Sequence, residues 1–130
     1  MGFLNNLFNG SDEVKDGVKI NWIALADINQ LAAIKLQSST KPILIFKHST
    51  RCGISRMAFK SFERAYNLDE TIVDLYYLDI LNYRAISNEI SDEFNVKHQS
   101  PQVIVLKNEK VIYQDSHGGI CVKSIKKVLV

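Results

Sequence analysis

Short apolar blocks alternate along this chain with stretches whose apolar residues recur every third or fourth position. Asn21-Trp22-Ile23-Ala24-Leu25 predicts a short strand. Asp27, followed three residues later by Gln30, has the form of a capping box. It opens a helix to about Gln37 with Ile28, Leu31 and Ile34 on one face. After the loop Ser38–Pro42, Ile43 to Lys47 is a continuous apolar run, the pattern of a strand buried on both faces in a parallel sheet. From Cys52 the spacing of Ile54, Ala58, Phe62, Ala65 and Tyr66 predicts a helix burying that stripe. Val73 to Leu81 reads as a second buried strand, and Tyr83, Ile86, Ile90 and Phe94 mark an amphipathic helix. Gln102 to Leu106 is a strand, Lys107–Lys110 a tight turn, and Val111 to Gln114 the antiparallel partner. Gly118-Gly119 breaks the chain before a last helix carrying Val122, Ile125, Val128 and Leu129. Residues 1–19, with Asn9-Gly10-Ser11-Asp12, read as a partly ordered arm, and residues 20–130 as the folded domain. The order β-α-β-α-β-α-β-β-α predicts an α/β fold, three layers α/β/α around a central mixed sheet closed by a hairpin.

Composition narrows the setting. A chain of 130 residues buries a sufficient core as one domain, and 46% hydrophobic with 23% charged residues is ordinary for a globular protein. The net charge of +2 comes from scattered basic residues, so no nucleic-acid partner is expected. No run approaches the roughly 20 apolar residues of a membrane span. Met1–Phe8 lacks a basic n-region and is too short for a signal peptide, and Asn6 stands where a myristoylation motif needs Ser or Thr. A cytoplasmic setting without membrane attachment is the expectation.

Cys52 carries the chemistry. It lies between the polar stretch Lys47-His48-Ser49-Thr50-Arg51 and Gly53-Ile54-Ser55, at the predicted start of a helix. Unpaired N–H groups and the positive end of the helix dipole favour thiolate there, making the sulfur a nucleophile. Arg51, Lys47 and Arg56 could lower the cysteine pKa or hold carboxylates of a substrate, with solvated charges of loop and helix the preferred reading for Lys47 and Arg56. Ser55 reads as a first-turn helix residue whose hydroxyl could also reach the thiolate. Cys121 lies 69 residues beyond Cys52, too far in sequence for metal-ligand spacing, and a structural disulfide is not expected in a reducing compartment. It reads as an ordinary small residue, with a role as a distal resolving thiol as the alternative. His48, His98 and His117 are isolated and read as surface or capping residues, and no metal site is expected.

The element order, with Cys52 after the second strand and Ser100-Pro101 ahead of the hairpin, resembles the thioredoxin-like superfamily. That resemblance implies a cis-proline platform, Ser100 and Pro101, facing the cysteine. Phe46-Lys47-His48-Ser49-Thr50-Arg51-Cys52-Gly53-Ile54-Ser55, Trp22-Ile23-Ala24-Leu25, Ser100-Pro101-Gln102 and Ser116-His117-Gly118 resemble the monothiol bacilliredoxins, the YtxJ-like family of the bacillithiol system. The family reads Cys-Pro-Ile-Ser where this chain has Gly53, which leaves the turn after the nucleophile more flexible. The resemblance implies removal of bacillithiol from S-bacillithiolated client proteins. Cys52 would be the nucleophile, Thr50, Arg51, Gly53, Ile54 and Ser55 the active-site loop, and bacillithiol the co-substrate, with no bound cofactor. Ser55 stands three residues after Cys52, where a dithiol protein has its resolving cysteine, so a separate thiol must open the mixed disulfide. Cys-Gly-Ile-Ser is also similar to the Cys-Gly-Phe-Ser of monothiol glutaredoxins, which implies a rival reading as an iron–sulfur cluster carrier. A redox-inactive thioredoxin-like binding module is the third alternative.

Overall fold

The structure, a computed structural model, describes residues 20–130; the expected arm at 1–19 lies outside the described residues. The elements are β1 (Trp22–Ala24), α1 (Gln30–Gln37), β2 (Ile43–His48), α2 (Gly53–Ala65), β3 (Asp74–Asp79), α3 (Arg84–Phe94), β4 (Gln102–Lys107), β5 (Lys110–Ser116) and α4 (Val122–Leu129), with a 3-10 turn at His117–Gly119 before α4. Strands and helices alternate in the order expected from the hydrophobic pattern.

The sheet runs β1-β3-β2-β4-β5. β2 is parallel to β3, with Ile43 beside Asp74 and His48 beside Asp79, and antiparallel to β4, with Lys47 beside Gln102. The run from Ile43 thus heads a mixed sheet, with one parallel and one antiparallel neighbour. β1 has three residues, and the β4–β5 ladder shifts register between Val105 and Leu106. Asn108 and Glu109 close the hairpin, both at positive φ as a two-residue type I′ loop requires.

Alternation along β2 feeds two cores. Ile43 and Ile45 join Leu31, Ile34, Leu78, Ile86 and Ile90 under α1 and α3. Leu44 and Phe46 join Phe62, Tyr66, Val103, Val105 and Ile125 under α2 and α4. Trp22 packs over Phe46, Phe59 and Phe62, ring centroids 6.1, 5.3 and 5.8 Å away, which ties the edge strand to α2. The expected capping box forms only in part: Gln30 Oε1 accepts the N–H groups of Ala26 and Asp27, but Asp27 Oδ1 accepts the Asn29 N–H while the Gln30 N–H goes to the Asp27 carbonyl, and α1 starts later, with Asn29 as its N-cap.

Three expectations change. β3 is shorter than Val73–Leu81, because Leu81 has passed the sheet end into a turn held by Asp79. Ile28 precedes the regular helix and is exposed. On α2 the buried stripe is Ser55, Phe62 and Tyr66 with half-buried Phe59, while Ile54 and Ala65 face outward. An i, i+4, i+7, i+11 stripe starting at Ser55 meets the sheet. The same spacing started at Ile54 misses it by one residue, about 100° of helix.

Lys47 is the largest departure. Expected as a solvated charge, it is fully buried on the α1/α3 face, and its Nζ has no hydrogen-bond partner among the described residues. Burial, with the cation of Arg84 second, pushes its amine down to about 8. Below pH 8 the amine is protonated folded and unfolded, and the full cost of burying charge stands. Between about 8 and its ordinary 10.5 the folded chain releases the proton first, so stability rises with pH. The span corresponds to a few kcal/mol. Lys47→Met should therefore raise the unfolding free energy at pH 7 by about 1–4 kcal/mol. Its advantage over the wild type should shrink as pH goes from 8 to 10.5. Denaturant unfolding of both proteins across that range checks this; a less stable Lys47→Met would refute it.

Candidate active site

β2 ends at His48, and the chain turns through Ser49, Thr50 and Arg51 into Cys52, the N-cap of α2. Cys52 is extended, φ −99° and ψ 124°, so the backbone leaves the loop and enters the helix at this residue. Its N–H donates to Ser49 O at 3.2 Å, and its carbonyl accepts the Arg56 N–H at 3.0 Å. The thiol is free and exposed and makes no capping bond of its own. The side chain therefore stands at the head of the helix, where the first-turn N–H groups have no helical acceptor. Thr50, Arg51, Gly53 and Ile54 are exposed around it, and Arg56 Nη1 donates to the Thr50 carbonyl at 3.1 Å, bracing the loop.

Ser55 behaves differently from its neighbours. It is fully buried, and its hydroxyl lies 2.7 Å from His48 Nδ1 while accepting the Ser49 N–H at 2.9 Å. The pairing is satisfied when the hydroxyl donates to Nδ1 and the neutral ring keeps its proton on Nε2. The nearest polar partners of Ser55 are thus the strand end and the loop. His48 is not the surface or capping residue expected. It is buried, stacked on Phe59 with centroids 4.9 Å and planes 16° apart, and edge-on to Tyr77. Burial pushes the imidazole below its ordinary value, with Asp79 opposing in part, so it is neutral at pH 7.

The Ser100–Pro101 peptide bond is cis. Pro101 is buried and precedes Gln102, the β4 partner of Lys47, so it stands beside the strand end that leads into the Cys52 loop. Its carbonyl accepts the His117 N–H at 3.0 Å, which anchors the segment before α4. His117, at φ 55°, lines with Gly118 and Ile120 a groove of about 300 Å³ whose other wall is Ile54, Met57, Ala58 and Ser61. Ile54 and Met57 are 63% and 72% exposed, an apolar lip about half a turn and about one and a half turns along α2 from Cys52. The sequence signal for that lip was the pair of apolar residues left over once the buried face is placed from Ser55.

Cys121 opens elsewhere. It caps α4, is exposed, and lines a separate groove of about 500 Å³ with Ser61, Phe62, Ala65, Lys123 and Lys126. Ser61 lies nine residues along α2 from Cys52, about 13 Å by helical rise. The Ser124 N–H and hydroxyl facing its sulfur push this thiol below its ordinary value, although neither closes a capping bond of standard geometry. Among the described residues no cluster of three metal-ligating side chains occurs, and no helix is long and apolar enough to cross a membrane.

Residues 23–125 match the family profile of the monothiol bacilliredoxin BrxC. The chain belongs to this family. A solved protein with a thioredoxin fold, proposed to be an oxidoreductase, is 33% identical; the match covers 82% of this chain and 91% of that one, with a TM-score of 0.69. Thioredoxin from Malassezia sympodialis is 17% identical over 91% of this chain and 93% of its own, TM-score 0.63. An N21Q thioredoxin from Halobacterium salinarum is 11% identical over 87% and 93%, TM-score 0.61. The fold is therefore thioredoxin-like, and family and fold together support a thiol redox role.

Two outcomes follow from this geometry. Ser55→Ala leaves the Ser49 N–H and His48 Nδ1 without their partner and should cost about 1–3 kcal/mol. Faster amide exchange at Ser49 should accompany the loss in denaturant unfolding; a change below about 0.5 kcal/mol, within ordinary surface-substitution scatter, would show that the bond does not hold the loop. Gly53 has no positive φ, and an added Cβ would meet nothing within 4 Å. Gly53→Pro should fold and gain about 0.4–1 kcal/mol by restricting the unfolded chain. A loss of stability in thermal melts would contradict it.

Proposed function

We propose that this protein removes bacillithiol from S-bacillithiolated proteins with Cys52 as the single nucleophile. The observation that carries the reading is one exposed sulfur at a helix head, with the residue three positions on, Ser55, fully buried in bonds to His48 and Ser49. Cys52 stands where the first-turn N–H groups of α2 have no helical acceptor. The Cys52 thiolate attacks the bacillithiol sulfur of the client's mixed disulfide. A Cys52–bacillithiol disulfide forms, the client–bacillithiol bond breaks, and the client leaves as a thiolate that water protonates. With no thiol at position 55, a second bacillithiol thiolate attacks the adduct. It leaves oxidised bacillithiol and regenerates Cys52. The lip formed by Ile54 and Met57 gives the client's apolar side chains a contact beside the reacting sulfur. Such a reaction suits a cytoplasmic protein working on many clients, with a flavoprotein reductase to recycle the oxidised thiol.

Cys52→Ser should abolish release of bacillithiol from a capped client, followed by intact mass of the client. Cys121→Ser should retain single-turnover release, because the first step needs one sulfur. Release by the Cys52→Ser protein would overturn the assignment; loss in Cys121→Ser would make Cys121 part of the reaction.

A further inference from the structure

Two buried polar atoms lack a hydrogen-bond partner among the described residues, Lys47 Nζ and Ser100 Oγ, and both belong to the rim that carries Cys52. Lys47 is the last residue but one of β2, five positions before the cysteine, and Ser100 immediately precedes the cis-proline. Orphaned buried groups are rare enough to need a reason, and a buried ammonium is costly unless something anionic meets it.

The surroundings of Lys47 are cationic. Arg84, the first residue of α3, lies near enough for its cation to push the Lys47 amine down after burial, and burial, then the charges of Lys47 and Arg84, push the His98 imidazole down. Arg84 Nε reaches only the Asn88 side-chain oxygen, at 3.4 Å, and His98 Nδ1 pairs with the Ser87 hydroxyl at 2.7 Å. The ion pairs found among the described residues, Lys35–Glu93 and Lys41–Asp74, involve none of these groups. Because β2 and β3 are parallel, their C-terminal ends share one end of the sheet, and α3 starts just beyond β3. Cys52 rises over the α2 side of that end, and Lys47, Arg84 and His98 gather on the α3 side.

We infer that Lys47, Arg84 and His98 form a carboxylate-binding subsite on the α3 side of the Cys52 rim, occupied by the malate portion of bacillithiol. The inference rests on the bacillithiol reading above. Lys47 supplies a buried charge with its desolvation already borne by the fold, and exposed Arg84 supplies a planar donor that can guide the carboxylate in. The neutral wall of the cysteine's own side, His48 and Ser55, leaves the reacting disulfide free of competing charge.

The test compares one client capped with bacillithiol and the same client capped with cysteinyl-glucosamine, which lacks the malate. Wild type should release the first at least about tenfold faster, the ratio set by one partly buried ion pair. Lys47→Met should erase that ratio, and Arg84→Ala, at an exposed position, should reduce it, with free malate slowing wild type but not Lys47→Met. Equal rates on both caps in wild type, or a ratio untouched in both variants, would overturn the subsite. Wild type inactive on either cap would instead sink the bacillithiol reading itself. If the variants slow both caps equally and the effect vanishes when acidic residues beside the client's cysteine are neutralised, the carboxylate comes from the client, and the assignment to bacillithiol is wrong.

Discussion

Burial of β2 along its whole length is the constraint from which the site follows. The strand is hydrogen-bonded on both sides and covered on both faces, so it has no freedom to slide or tilt. Its last two residues are therefore fixed in opposite directions, Lys47 under α3 and His48 under α2. A one-residue slip would exchange them, placing a charge beneath α2 and an imidazole in the aliphatic layer. Six residues of core strand thus set the electrostatics of a loop they do not themselves form.

The loop hangs from that strand by very few bonds. Ser55 reaches back across the turn to the imidazole and to the Ser49 amide, and Arg56 clasps the Thr50 carbonyl. Where a dithiol protein keeps its second sulfur, this chain has an oxygen that fastens the turn. Giving up self-resolution and gaining a fixed loop are the same substitution. Under the proposed reaction, resolution falls to a diffusing thiol, while the loop geometry stays with the protein.

Much of this was legible in the residues. The alternation of apolar runs and helical periods located every strand and helix between 22 and 129, because each element buries a face with its own period. Cys52 announced itself by being a lone cysteine between a strand and a helix. The failures have a common cause. Ile54 and Ser55 are neighbours, and hydrophobicity alone favoured Ile54, yet tertiary pairing with His48 turned the helix so that the serine went in. Lys47, at the end of the predicted strand, was read as a solvated charge and His48 as a surface or capping residue, because charge ends an apolar run on paper. In the sheet, full pairing with β3 to Asp79 carried both inside. Neither a hydrogen bond seven residues away in sequence nor an amine buried at the cost of stability leaves a trace in periodicity.

The outermost strands have a bearing on how such a protein behaves in crowded solution. β1 is only three residues long, and the ladder joining β5 to the sheet is interrupted between Val105 and Leu106. Short or kinked borders make poor templates for annexing another chain's backbone. A partly unfolded chain that meets these edges therefore finds little backbone to pair with.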